Sequence, residues 1–179
     1  MMTLRPACEA DVPALIELAR RSWLSGFTGS APAAFVRDRL AREFERDWYP
    51  RHWPAMTVAE DAGVLLGVVQ PEGDEVNGLW VAPEAQGRGV GTALLRHAER
   101  QIAAAGHGRA WLTCSGFNPG AARFYLARGY REVGRATKDR GGGLVEELLT
   151  FERQLAPHRE AEPLSWPTDL NKNELPGSG

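Results

Sequence analysis

Residues 86 to 91 have the types and spacing of an anion-binding turn. The segment Gln86-Gly87-Arg88-Gly89-Val90-Gly91 follows an apolar strand pattern and a proline, and it precedes an amphipathic helix pattern. Backbone amides at a helix start lack intrahelical partners and the helix dipole adds positive charge, so a diphosphate binds well there. The glycines allow close approach, and Arg88 would add a charge-assisted contact. The turn is therefore a candidate diphosphate site, with plain turn glycines as the alternative.

Two common nucleotide-binding loops do not fit this turn. The dinucleotide pattern Gly-x-Gly-x-x-Gly fails because Thr92 stands where the third glycine belongs. The following strand, residues 110–115, also ends without the acidic residue that would hold a ribose. No Gly-Lys-Ser/Thr follows, as an ATP-binding P-loop requires. The sequence thus argues against nicotinamide cofactors and ATP.

A second segment, residues 118–130, has helix-capping residues around a pair of aromatics. Asn118 is a good N-cap, and Pro119 suits the first helical position. Phe124 and Tyr125 are adjacent and point in different directions, so one can enter the core while the other faces a cleft. Gly129 suits the position after the helix end. The pattern predicts a helix that presents an aromatic side chain to a binding site.

The two segments together resemble one family. Gln86-x-x-Gly89-x-Gly91 after a strand resembles the pyrophosphate-binding signature of the GCN5-related N-acetyltransferase superfamily, and residues 118–130 resemble its second cofactor motif. The order of elements agrees from about residue 3 to 153. The resemblance implies acetyl-coenzyme A (acetyl-CoA) as the cofactor. The cofactor-binding residues that it implies are Val81, Gln86, Gly87, Arg88, Gly89, Val90, Gly91, Thr92, Asn118 and Tyr125. No metal is expected, because no Cys-x-x-Cys or His-x-x-x-His spacing suggests a metal site.

The resemblance also implies catalytic roles. Tyr125 would donate a proton to the departing coenzyme A sulfur, which suits a phenol with a pKa near 10 and a thiol with a pKa near 8.5. Glu75 would be the base that deprotonates the acceptor amine, with a water relay or a solvated surface role as alternatives. The backbone N–H near Val81 would stabilise negative charge on the thioester oxygen. Cys114, in an apolar strand, is interpreted as an inert core residue, so direct attack in a ternary complex is expected.

Aromatic residues of the first helix mark the expected acceptor side. In similar enzymes this region frames the acceptor, so Trp23, Phe27 and Trp80 are candidate substrate-binding residues, with simple helix packing as the alternative. The acceptor would be a primary amine of a small molecule, or a peptide N-terminus or lysine. The rival hypothesis is a non-catalytic acyl-CoA-binding module that senses or regulates.

These residues need a scaffold, and the periodicity predicts one. It indicates a short strand over residues 2–7, a helix, a second helix over 33–48, and three strands joined by turns between 56 and 81. A helix (88–105), a strand (110–115), a helix (119–128) and a hairpin around Gly141-Gly142-Gly143 follow. The fold class is α/β (α+β), with a mixed, mostly antiparallel central sheet and helices on both faces.

Composition indicates which partners, compartment and domain organisation to expect. The formal net charge of −2 argues against a nucleic-acid partner, and no apolar run is long enough for a membrane span. Cys8 and Cys114 lie far apart and fit a reducing cytoplasm. Residues 1–155 are expected to form one acetyltransferase domain, and residues 156–179 a Pro-rich polar tail that is flexible or docked. The family resemblance also allows a homodimer.

Overall fold

The computed structural model describes residues 1–156 of the 179-residue chain. Within these residues, seven strands form one sheet in the order β1-β2-β3-β4-β5-β7-β6. Their bounds are β1 Thr3–Pro6, β2 Thr57–Asp61, β3 Val64–Glu72, β4 Glu75–Val81, β5 Arg109–Ser115, β6 Arg131–Asp139 and β7 Val145–Gln154. Neighbouring strands are antiparallel except β4 and β5, which run parallel.

Five α-helices connect these strands in the described part of the chain. They are α1 Val12–Phe27, α2 Ala33–Ala41, α3 Phe44–His52, α4 Val90–Ala104 and α5 Pro119–Leu126. Helix α4 joins β4 to β5, and such a helical crossover is what allows consecutive strands to run parallel. The parallel pair therefore lies in the middle of an otherwise antiparallel sheet.

The helices cover both faces of the sheet. Gly67 of β3 lies against α4, because a Cβ added there would fall 2.8 Å from Leu94 Cδ1. Three residues further along β3, Gln70 Oε1 accepts a hydrogen bond from Trp48 Nε1 of α3 at 3.3 Å. Successive side chains of a strand alternate between faces, so α4 and α3 lie on opposite sides. Helix α1 packs on α3 and shares its face.

The core fills the space between the sheet and these helices. Its largest fully buried side chains come from α1, α4 and the central strands; they are Phe151, Leu15, Leu94, Leu95, Ile102, Leu112, Val58 and Val69. This arrangement confirms the predicted fold class of a mixed, mostly antiparallel sheet with helices on both faces.

One element differs from the sequence prediction. The helix expected over residues 33–48 is divided into α2 and α3, because Glu43 adopts a left-handed conformation with φ of 45°. Helix α3 then continues through Pro50 to His52. The predicted tail over residues 156–179 lies outside the described residues, apart from Ala156.

Candidate active site

The parallel strands β4 and β5 hold together at one end and separate toward the other. Within the described chain they pair at Glu75 and Trp111, where the Trp111 amide donates to the Asp74 carbonyl oxygen at 3.0 Å. The Asp74 carboxylate reinforces this end by accepting from Trp111 Nε1 at 2.8 Å and from Arg109 Nε at 3.1 Å. Toward their carboxyl ends the strands diverge, and a cleft of about 720 Å³ opens between them.

The loop at one end of this cleft leaves backbone amides unpaired. Gly87 and Gly89 have φ angles of 72° and 84°, a region where residues with a Cβ are strained. Gly89 is the N-cap of α4 and provides no side-chain cap, so the first amides of this 15-residue helix have no intrahelical partner. Gln86 Nε2 donates to the Val81 carbonyl oxygen at 3.2 Å, and Arg88 is exposed. Gln86, Gly87 and Gly91 line the cleft, so the loop places the free amides at the start of α4 beside it, whereas the exposed Arg88 does not contribute to the lining.

Gly91 is needed for packing rather than for backbone conformation. A Cβ at this position would fall 3.1 Å from Phe124 Cε2 and 3.4 Å from Val81 Cγ2. Glycine thus lets α4, β4 and α5 approach one another beside the cleft.

Thr92 ties α4 to α5. Its Oγ1 accepts from Arg128 Nε at 2.9 Å and from Arg128 Nη2 at 2.7 Å, and the same guanidinium lies 3.6 Å from the Phe124 ring centroid. Burial, and then the charge of Arg96, lower the pKa of Arg128. The Thr92 side chain is therefore engaged with the protein, which leaves its backbone amide as the group that a cofactor could meet.

Asn118 connects the start of α5 to α1. Its Oδ1 accepts from the Ala121 amide at 3.1 Å, which caps the helix. Its Nδ2 faces Gly26 of α1, where a Cβ would fall only 2.7 Å away. Ser30 Oγ adds a hydrogen bond to the Phe117 carbonyl oxygen at 2.6 Å. These contacts hold the end of α1 and the loop after β5 against each other beside the cleft.

Tyr125 of α5 lines the cleft and is otherwise enclosed by aromatic rings. Only 7 % of its surface is exposed, and its ring packs edge-on against Phe124 and Tyr130 at centroid distances of 5.2 and 5.7 Å. Burial, together with the nearby Cys114 thiol, raises the pKa of Tyr125 above its ordinary value. The phenol thus keeps its proton at neutral pH and can donate it as a hydrogen bond.

Cys114 lines the same cleft and is half-buried rather than fully packed in the core. Burial, and then the Glu132 charge, raise the pKa of its thiol to about 11. Since the thiolate is the nucleophile, Cys114 is poorly suited to covalent catalysis at neutral pH.

The Val81 amide is turned toward the cleft. Because the Ala82 amide donates to the Leu66 carbonyl oxygen of β3 at 2.9 Å, strand alternation turns the Val81 N–H away from β3. That N–H instead reaches Ser22 Oγ of α1 at 3.3 Å. Both residues line the cleft.

Glu75 lies at the closed end of the cleft and not in its lining. Burial, followed by the neighbouring charges of Glu72 and Asp74, raises the pKa of its carboxyl. By contrast, the pKa of Asp74 is lowered, chiefly by the hydrogen bond from Trp111. Of the two adjacent acids, Glu75 is therefore the stronger base.

The candidate acceptor residues separate into two groups. Phe27 and Trp80 line the cleft, whereas Trp23 does not. Trp23 is only 5 % exposed, stacks on Phe27 at 4.6 Å and packs against Phe35 at 6.0 Å. The Trp23 indole thus belongs to a small aromatic core beneath α1, where it packs against Phe27, which lines the cleft.

The cleft also includes small residues of α1 and of the loop after it that the sequence did not indicate as site residues. The cleft surface formed there consists of Ser22, Ser25, Gly26, Phe27, Thr28, Gly29 and Ser30. The spacing of Ser22, Ser25 and Gly26 places small residues on one face of α1, and this was the available signal.

The described part of the chain contains no group of three or more metal-ligating side chains. Among its helices, none has both the length and the apolar character needed to span a bilayer.

Comparisons with known proteins identify the family. The model of the Acetyltransferase (GNAT) family matches residues 13–130. The peptidyl-lysine N-acetyltransferase YiaC of Escherichia coli is 32% identical over 143 residues, which cover 76% of this chain and 88% of YiaC.

Solved structures share the fold. A GCN5-related N-acetyltransferase from Rhodopseudomonas palustris superposes with a TM-score of 0.70 at 25% identity, covering 86% of this chain and 95% of that one. YncA of Salmonella typhimurium, solved with its cofactor acetyl-CoA, has a TM-score of 0.65 at 22% identity and covers 89% of this chain and 97% of its own. The family match, the YiaC relationship and the shared fold lead to one conclusion: the chain belongs to the acetyltransferase (GNAT) family and is an N-acetyltransferase.

Proposed function

We propose that this enzyme transfers the acetyl group of acetyl-CoA to a primary amine by direct attack while both substrates are bound. The amine belongs to a small molecule, a peptide N-terminus or a lysine. The observation that carries the proposal is the cleft between β4 and β5, which connects the loop before α4 to the Tyr125 hydroxyl. One cleft thus has a diphosphate-binding end and a proton-donating end.

The residues at the loop end suit the diphosphate of coenzyme A. Free amides at the start of α4 point toward this end, and the helix dipole favours negative charge there. Arg88 adds a cation, while Gln86 holds the loop on the last residue of β4. Acetyl-CoA, when bound, supplies the activated acetyl thioester.

The residues at the other end suit acyl transfer. The Val81 N–H binds the carbonyl oxygen as negative charge develops on it. The amine nitrogen attacks the carbonyl carbon, the C–S bond breaks, and Tyr125 donates its proton to the departing sulfur. Burial raises the pKa of Tyr125. The same low-polarity surroundings disfavour a thiolate and so raise the pKa of the leaving thiol. Proton transfer from the phenol to the sulfur therefore stays favourable.

The amine must also lose a proton. No carboxylate is present among the cleft-lining residues of the described chain, so an ammonium group has no counter-ion inside the cleft. We place the base at Glu75, which lies six residues before Val81 on β4, about 20 Å away at the closed end, so the proton reaches it along a chain of waters in the cleft. Its raised pKa makes it a stronger base than an ordinary carboxylate.

The acceptor class follows from the surface of α1 and from the relative YiaC. Small residues and one phenyl ring frame the acceptor side, which leaves room for an unbranched alkylamine. YiaC is a peptidyl-lysine N-acetyltransferase, and this supports a lysine ε-amine as the first acceptor to test.

We further propose that residues 1–155 form the catalytic domain. The family match ends at residue 130, but β7 pairs with β5 as far as Gln154. The Leu155 amide then donates to the Gly108 carbonyl oxygen at 2.9 Å, so the sheet needs the chain up to that residue.

Thiol release from acetyl-CoA, measured with matched peptides, tests the proposed function. One peptide carries a free lysine and a blocked N-terminus, a second carries acetyl-lysine and a free N-terminus, and a third has both amines blocked. We expect release with the first peptide above the rate with the third. Calorimetry measures acetyl-CoA binding in parallel. Absence of binding, or equal release with all peptides and with small amines, would refute the proposal.

A further inference from the structure

Ser22 places a hydroxyl group at the amide that faces the reacting end of the cleft. The Ser22 residue is only 7 % exposed, yet it lines the cleft. Its Oγ accepts the Val81 N–H at 3.3 Å. This hydroxyl is therefore held between α1 and the last residue of β4, at the point where the strands are farthest from their pairing at Glu75.

The contact is weak and leaves the hydroxyl proton unused. Amide hydrogen bonds to oxygen are commonly about 2.9–3.0 Å long, so a 3.3 Å contact is easily shared with another oxygen. A serine hydroxyl can both accept and donate. Among residues 1–156, Ser22 Oγ takes part as an acceptor only. An oxygen that enters beside Val81 thus meets two donors, one from the strand and one from the helix.

We propose that Ser22 is a second oxyanion-hole donor, an inference that rests on the proposed function of the cleft. When the thioester carbonyl oxygen lies against the Val81 N–H, the Ser22 hydroxyl rotates and donates its proton to the same oxygen. Charge that develops on this oxygen during transfer is then stabilised by two converging hydrogen bonds. No covalent bond to Ser22 forms.

A purely structural role for Ser22 makes different predictions. A hydroxyl that only satisfies the buried Val81 N–H contributes to folding stability, because an unpaired buried amide is costly. It has no effect on the electronic state of a bound thioester. The carbonyl stretching frequency of bound acetyl-CoA separates the two roles, since a donor to the oxygen weakens the C=O bond and lowers that frequency.

The experiment compares wild type with Ser22→Ala, Ser22→Cys and the exposed control Thr137→Ala on β6. Infrared difference spectra are recorded with acetyl-CoA labelled or unlabelled at the carbonyl carbon, without acceptor. Calorimetry gives the acetyl-CoA affinity, thermal unfolding gives Tm, and turnover is measured with the best amine acceptor.

We expect the carbonyl band of Ser22→Ala to lie at higher frequency than that of wild type, with Ser22→Cys in between and Thr137→Ala unchanged. Turnover of Ser22→Ala should fall about 100- to 1000-fold, as for loss of one oxyanion donor, with little change in acetyl-CoA affinity. A lower Tm with an unchanged band and turnover within about twofold would assign Ser22 a structural role and overturn the inference. Failure of wild type to bind acetyl-CoA would instead refute the proposed function. If Ser22→Ala does not fold, the band position of Ser22→Cys decides.

Discussion

The Asn118 side chain occupies the space where Gly26 would carry a Cβ, with only 2.7 Å between that position and Asn118 Nδ2. Asn118 Oδ1 is simultaneously held by the Ala121 amide at 3.1 Å. The amide group therefore has little freedom to move away. Position 26 thus controls the start of α5, the helix that carries Tyr125.

The first prediction concerns Gly26→Ala. Alanine favours the helix by about 1 kcal/mol relative to glycine, and the displaced Asn118 cap costs about the same, so Tm should change little. Turnover should fall several-fold because α5 shifts. The measurement is a double-mutant cycle with Asn118→Ala, where removal of the amide relieves the clash. If Gly26→Ala lowers turnover equally in both backgrounds, the coupling between positions 26 and 118 is absent.

The second prediction concerns Tyr125→Phe. Loss of the proton donor should lower turnover by about 100-fold, within the usual range for a general acid, while acetyl-CoA affinity stays near wild type. Steady-state kinetics and calorimetry check both values. The control is Tyr130→Phe, since Tyr130 has a buried hydroxyl without a hydrogen-bond partner in the described chain and does not line the cleft. If Tyr125→Phe and wild type have equal turnover, water rather than Tyr125 is the proton donor.

The third prediction concerns the acid limb of the pH–rate profile. Glu75 must be ionised to accept a proton, so kcat/KM should fall as the pH falls through its raised pKa. Glu75→Gln should lose this limb and be slower at every pH. Glu72→Gln removes a negative charge that raises the pKa of Glu75, so the limb should move to lower pH. An unchanged limb in Glu75→Gln would exclude Glu75 as the base.

The fourth prediction concerns Cys114. Its thiol pKa of about 11 leaves about one molecule in 10⁴ as thiolate at pH 7. Mass spectrometry of the enzyme mixed with acetyl-CoA alone should therefore show no acetyl group on Cys114, and initial-rate plots should intersect as for a ternary complex. Parallel plots together with an acetylated Cys114 would establish the covalent route instead.

The fifth prediction concerns Asp11 and acid stability. Arg5 Nη1 and Nη2 donate to its carboxylate at 2.7 and 2.9 Å. The hydrogen bond from Arg5, then that from the Cys8 amide, lowers the pKa of Asp11. Asp11→Asn should therefore lower the free energy of unfolding at pH 7 by about 1–3 kcal/mol.

A lowered pKa contributes stability above the unfolded-state pKa of about 4, and this contribution is lost as the pH falls further. Urea unfolding should thus show the difference between Asp11→Asn and wild type shrinking progressively as the pH falls below about 4. Asp47→Asn, which removes an exposed pair with Arg51, is the control and should cost less than about 1 kcal/mol at either pH. A constant difference from pH 7 to pH 2 would contradict the assignment.

The sequence predicted the fold class because each strand and helix carries a local signal. Alternating apolar residues, turn glycines and the helix start at Val90 are properties of neighbouring residues. The break between α2 and α3 was missed because Ala41 through Glu45 keeps a helical composition, and only the left-handed φ of Glu43 ends the helix. Nothing in the residue type of a glutamate predicts that conformation.

The candidate site was less predictable for a physical reason. Ser22 and Val81 are 59 positions apart, and only the packing of α1 on β4 brings them together. The residue type and helical spacing of Ser22 do not indicate that its hydroxyl contacts the Val81 amide. Likewise, Trp23 and Phe27 have equal sequence signals and are both 5 % exposed within one aromatic cluster, yet only Phe27, one turn nearer the end of α1, also lines the cleft.

The separation of β4 and β5 has a consequence for solvent. At about 30 Å³ per molecule, a cleft of about 720 Å³ holds roughly two dozen waters when no donor is bound. Each catalytic cycle must expel that liquid and then readmit it as product leaves. An excluded osmolyte such as sucrose should therefore tighten donor binding and slow product release together, and the size of the effect reports how much water the donor displaces from the cleft.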